Sequence, residues 1–144
     1  MTESKNPIKV ILVDDSEDDV LMMTEALRDS PPLKLTRVYG NGRDTLHFLK
    51  NNLHDDDFPN ILLLDINMPK MNGFDVLSSL KEHAVLRQLP VILLTTSNRH
   101  EDVTMAYELG ANSYIQKPFE YETLVETMQK LADYWSHILL PTLA

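Results

Sequence analysis

Two adjacent carboxylates, Asp14 and Asp15, a third at Asp65, hydroxyls at Thr95, Thr96 and Ser97, and an ammonium at Lys117 stand at the ends of short candidate strands. Taken singly they are ordinary. Paired acids ahead of a helix serve as cap and dipole residues, and an Asp often caps a turn. Taken together they compose a chemistry. Three carboxylates within reach of one another repel, so without metal at least one pKa rises and the set titrates as a unit. A divalent cation relieves that repulsion. The donors are hard oxygens, with no cysteine in the chain and no histidine at ligand spacing, which points to Mg²⁺ with Mn²⁺ as a substitute. An Asp facing such a cation and a lysine can act as a phosphoryl acceptor. The positive charges neutralise the incoming group and leave the carboxylate as nucleophile.

The residues reach one place only if the fold carries them there. Runs at 8–13, 61–64 and 91–94 are rich in Ile, Val and Leu without alternation, as in strands buried on both faces of a parallel sheet. Weaker runs lie at 33–38 and 113–116. The interval between successive runs is that of a strand, a crossover helix and loops. Helices are predicted from Ser16, an N-cap followed by acids, to the Pro31-Pro32 stop; over 42–53; over 74–83; over 100–109, closed by Gly110; and from Tyr121 to about residue 139.

Five such units predict an α/β, flavodoxin-like, doubly wound five-stranded parallel sheet with five helices, whose ligands bind at the carboxyl ends of the strands. In the strand order 2-1-3-4-5, Asp14, Asp15, Asp65, Thr95 and Lys117 converge. In the order 3-2-1-4-5, Asp65 lies at the far edge, so the chemistry selects the first.

The constellation Asp14-Asp15, Leu-Leu-Leu-Asp65-Ile-Asn-Met-Pro-Lys-Met-Asn-Gly73, Leu-Leu-Thr95-Thr-Ser and Tyr114-Ile-Gln-Lys117-Pro-Phe119 resembles the receiver domain of two-component response regulators over about 8–135. The resemblance implies that Asp65 is the phosphoacceptor. It makes Asp15 a direct metal ligand, Asp14 a ligand through water, and Asn67 a ligand through its backbone carbonyl. It assigns Thr95 and Tyr114 to a switch, Lys117 to the phosphate, Pro118 to a cis peptide bond, and Gly73 to the turn after the acceptor strand. Thr96 departs from the Ala or Gly that many receivers carry, and its bulk would narrow access to the acyl phosphate. The segments Leu94-Thr-Thr-Ser97 and Tyr134-Trp135-Ser-His-Ile-Leu-Leu-Pro141 further resemble stand-alone receivers that partner bacterial phytochrome histidine kinases.

The last helix carries a heptad stripe, Leu124, Met128, Leu131, Trp135 and Ile138, with Val125, Ala132 and Leu139 on an adjoining face. Two apolar faces, with Tyr134 beside Trp135, predict a homodimer through this helix; the competing expectation is a broad stripe folded onto the domain's own core. Residues 1–7 are expected to form a disordered tail and 136–144 an extension of the last helix.

Composition bounds the rest. The chain has 144 residues, 13 basic and 22 acidic, for a net charge of −9. That disfavours nucleic-acid and anionic-membrane partners. No run approaches the roughly 20 apolar residues of a membrane span. The expectation is a cytoplasmic, single-domain response regulator. It takes a phosphoryl group from a sensor histidine kinase onto Asp65, with no enzymatic role beyond its own phosphorylation and dephosphorylation, and passes the signal to a separate effector or serves as a phosphate sink. A flavodoxin-like ligand-binding module would need a phosphate loop where Asp14-Asp15 stands. A haloacid-dehalogenase-type hydrolase would need a second Asp at Asn67. A non-phosphorylated interaction domain is the remaining alternative.

Overall fold

The computed structural model describes residues 6–138. Strands β1 (Ile8–Val13), β2 (Leu33–Tyr39), β3 (Ile61–Leu64), β4 (Val91–Thr95) and β5 (Ser113–Gln116) alternate with helices α1 (Glu17–Arg28), α2 (Gly42–Asn51), α3 (Gly73–Glu82), α4 (His100–Glu108) and α5 (Tyr121–Ser136). All strand pairs are parallel and the order is β2-β1-β3-β4-β5, so the acceptor strand is central.

Alternate residues of each strand feed opposite layers, as a period of two requires. Ile11, Val13, Leu62 and Leu64 pack with Leu49 of α2 and Val76, Leu77 and Leu80 of α3. Val10, Leu12, Ile61 and Leu63 pack with Met23 and Leu27 of α1 and with α5. Burying a leucine side chain stabilises by about 1.5–3 kcal/mol. The fully buried run Leu62-Leu63-Leu64 therefore anchors firmly the strand that ends in Asp65.

Helix starts follow side-chain chemistry. Ser16, Asn41 and Asn72 accept from the backbone N–H groups of Asp19, Asp44 and Asp75 respectively. Gly110 closes α4 at φ +94°, the left-handed conformation expected of a helix-ending glycine.

The C-terminal stripe does not form the free surface predicted for a dimer. Leu124, Met128, Ala132 and Trp135 are buried in the layer shared with α1 and the sheet, and Leu131 and Val125 pack against it. One broad face explains the pattern, because α5 must cover the α1 side of β1, β3 and β4. Tyr134 and Ile138 remain exposed, at 59% and 38%. The helix ends at Ser136; Leu139 and the rest of the expected extension lie outside the described residues, as do residues 1–5 of the expected tail.

Candidate functional site

Backbone hydrogen bonds carry the ladder one residue past the strands and so fix where the reactive groups start. The Asp14 N–H donates to the Tyr39 carbonyl at 3.0 Å, Asp65 N–H to Val13 at 2.9 Å, and Lys117 N–H to Thr95 at 2.7 Å. Asp14, Asp65, Thr95 and Lys117 are all buried at this edge, while Asp15 is exposed. One carboxylate oxygen from each of Asp14, Asp15 and Asp65 lies within 4.8 Å of the others. The sheet thus brings together the three acids, Thr95 and Lys117.

Burial pushes the Asp65 carboxyl up to about 6, and the nearby Asp14 adds to the rise. The Lys117 ammonium and the Asn67 N–H, which donates to Asp65 Oδ1 at 3.3 Å, restrain it. Burial works against the Lys117 ammonium, yet its acidic partners hold its pKa above the ordinary lysine value. The Lys117 Nζ donates to Asp14 Oδ2 at 2.6 Å and to Asp19 Oδ2 at 2.8 Å, and stands 3.6 Å from Asp65 Oδ2. Crowded hard-oxygen donors, two of them buried and Asp15 open to solvent, suit a small divalent cation.

Thr95 joins the acceptor to the neighbouring loop. Its Oγ1 accepts from the Asn67 amide and from the Ser97 N–H, each at 3.3 Å. Ser97 donates its hydroxyl to Asp102 at 2.6 Å, and its carbonyl accepts from the Tyr114 hydroxyl at 2.7 Å. Burial raises the Tyr114 pKa. A groove of about 640 Å³ opens beside this network, lined in part by Asn67, Phe74, Ser97, Arg99 and Asp102.

Thr96 is exposed, so its side chain borders the solvent side of the site. Two expectations need correction. Among the described residues the cis peptide bond is Pro31–Pro32; Lys117–Pro118 is trans, which follows the ordinary X-Pro preference of about 0.5–1 kcal/mol. Gly73 has no positive φ, so its turn does not demand glycine. Its need is space, because a Cβ there would meet the Asp65 carbonyl oxygen at 2.5 Å and Ile66 Cα at 2.8 Å. The left-handed residue of that loop is Lys70, at φ 68°.

Sequence reasoning missed Asp19, Asp102 and Arg99. Asp19 reads as the acid of an N-terminal capping box. Its signal was its place four residues after Asp15, one helical turn on, where α1 starts beside the acids.

Comparison with known proteins places these residues in context. The family model described as "Response regulator receiver domain" matches residues 10–129. Response regulator Rcp1 of Synechocystis sp. is 34% identical over 138 residues, 94% of each chain. The crystal structure of its Mn²⁺-bound form superposes with a TM-score of 0.80 at 32% identity, covering 94% of this chain and 99% of that one. The phosphorylated cyanobacterial phytochrome response regulator RcpA gives 0.84 at 29% identity, with the same coverage.

Proposed function

The chain belongs to the response regulator receiver domain family, and on that premise we propose that Asp65 accepts a phosphoryl group from a histidine kinase and that Thr95 and Tyr114 report its arrival. The observation that carries this is Asp65 at the end of the central strand, buried, with Asp14 and Asp15 beside it and Lys117 3.6 Å away. The acidic pocket fits Mg²⁺, which Asp15, Asp65 and the Asn67 carbonyl would hold directly and Asp14 through water. When bound there it supplies positive charge that offsets the repulsion between these acids and an anionic donor.

The ionised Asp65 oxygen attacks phosphorus, a P–O bond forms and the P–N bond of the phosphohistidine breaks. The imidazole leaves with the electron pair and takes up a proton from solvent. With a pKa of about 6, Asp65 is largely ionised at neutral pH and so ready to attack. Thr95 already has its hydroxyl oriented by Asn67, and on phosphorylation that hydroxyl turns to the phosphoryl oxygens. Its departure frees the Ser97 N–H and loosens the carbonyl that holds Tyr114.

The kinase partner follows from the family. A bacterial phytochrome is the partner we propose, supported by the likeness to RcpA. Leu21 on α1 and Phe119 after β5 are 65% and 88% exposed. We also propose a homodimer through α5, narrowed to the exposed Tyr134 and Ile138 with the edge of Leu131. No helix among the described residues is long and apolar enough to cross a membrane. We propose a cytoplasmic location, supported by the need to meet a histidine kinase.

The test is incubation with a small phosphoryl donor and Mg²⁺, read by intact mass. One phosphoryl group is expected on the wild type and none after chelation. Equal labelling in chelator would remove the metal-dependent reading.

A further inference from the structure

Asp19 occupies the third position of α1, where a capping-box acid would bond back to the N-cap backbone N–H. It does not do so here. The Ser16 N–H donates instead to Asp14 Oδ1 at 3.0 Å, while Ser16 Oγ still caps the Asp19 N–H at 3.3 Å. The Asp19 carboxylate is thereby released from the helix end, and it accepts from Lys117 Nζ at 2.8 Å. It is also the most open of the three acids around that ammonium, its side chain 36% exposed against 0% for Asp14 and 7% for Asp65.

We infer that Asp19 is a positioning residue for Lys117: it gives the ammonium a partner outside the metal-binding acids, so that a divalent cation can enter without displacing the lysine from the site. This rests on the phosphoacceptor reading above. Lys117 bridges Asp14 and Asp19. A cation drawn to Asp14, Asp15 and Asp65 competes with the ammonium for Asp14 and repels it. With Asp19 in place the ammonium shifts its hydrogen bonding outward by one acceptor and stays within reach of Asp65. Without Asp19 its remaining partners are Asp14 and Asp65, the two buried acids that the metal also needs, one through water and one directly. Asp19 is thus a selective support for metal loading, acting through Lys117 rather than as a ligand.

The experiment is a Mn²⁺ titration, followed by electron paramagnetic resonance of the free ion. The proteins are the wild type, Asp19→Asn, Lys117→Met and the double variant, each checked for folding by circular dichroism. Asp19→Asn is expected to weaken Mn²⁺ roughly fivefold in the wild-type background and less than about twofold in the Lys117→Met background, the difference being the coupling through lysine. Asp19→Glu, which keeps the charge, is expected to restore most of the affinity. With a small phosphoryl donor, Asp19→Asn should raise the Mg²⁺ concentration for half-maximal rate by a similar factor and leave the rate at saturating Mg²⁺ within about twofold. Equal weakening with and without Lys117 would overturn the inference, since Asp19 would then act only as a remote charge, and so would unchanged affinity. A wild type that binds no Mn²⁺ would overturn the phosphoacceptor reading and this one together.

Discussion

The Asn67 amide donates to the Thr95 hydroxyl at 3.3 Å, so the residue two past Asp65 holds the hydroxyl proposed to turn towards a phosphoryl group there. The same hydroxyl accepts from the Ser97 N–H, which makes Thr95 the junction between the acceptor strand and the loop that holds Tyr114.

Thr95→Ala should therefore still accept phosphate but fail to transmit it. Tyr114 ring resonances that shift on phosphorylation of the wild type should stay in place in the variant. Loss of an acceptor beneath the Ser97 N–H should also cost about 1 kcal/mol in urea unfolding. A phosphorylated Thr95→Ala that shifts Tyr114 as the wild type does would place the switch elsewhere.

The acceptor carboxyl makes stability depend on pH in a stated direction. Its folded pKa, about 6, lies above the ordinary 3.8, so the folded protein holds this proton more tightly than the unfolded chain does. This group's contribution is full below pH 3.8 and is lost as pH rises through 6. Without metal, Asp65→Asn should be more stable than the wild type above pH 6, and the gap should close towards pH 3.8. Chemical denaturation across that range checks it; parallel curves for the two proteins would contradict it.

Two glycines should respond differently to alanine. At Gly73 the new Cβ meets backbone of Asp65 and Ile66, which must move, so Gly73→Ala should cost about 1–3 kcal/mol and slow phosphorylation. At Gly110 the clash is with the flexible end of Lys81, and the penalty comes from φ +94°. Gly110→Ala should cost about 1 kcal/mol and leave phosphorylation unchanged. Rates of labelling beside unfolding curves separate the two.

Trp135 and Tyr134 are neighbours with opposite exposure. Trp135 is 7% exposed in the domain core, so Trp135→Ala should cost about 3–5 kcal/mol. Tyr134→Ala should leave stability within about 0.5 kcal/mol and weaken self-association in sedimentation. A wild type that sediments as a monomer at high concentration would remove the α5 dimer.

Two strand ends were legible because the reactive residue follows an apolar run that burial dictates: Leu62-Leu63-Leu64 then Asp65, and Ile92-Leu93-Leu94 then Thr95. Lys117 follows the only partly buried Ser113–Gln116, a weaker signal. Strand order followed from the need for those ends to meet and equally from the resemblance to receiver domains. What escaped was whatever depends on partners distant in sequence. Asp19 carries the pattern of a cap, and only the arrival of Lys117, 98 residues on, shows its other use. The α5 stripe carries the pattern of a dimer seam, because sequence does not reveal how broad a face α1 and the sheet would cover. Gly73 was legible as necessary but not for its reason, since a backbone approaching from Asp65 leaves no local mark.

The most direct measurement is to trap the acyl phosphate by borohydride reduction after treatment with a small phosphoryl donor and Mg²⁺, and to locate the reduced residue by peptide mass spectrometry. Asp65 should be converted to homoserine in the wild type, in proportion to the phosphoryl group gained, with no conversion in Asp65→Asn. Reduction mapping to another carboxylate in the wild type, or labelling of Asp65→Asn at the wild-type rate, would contradict the assignment of Asp65 as the acceptor.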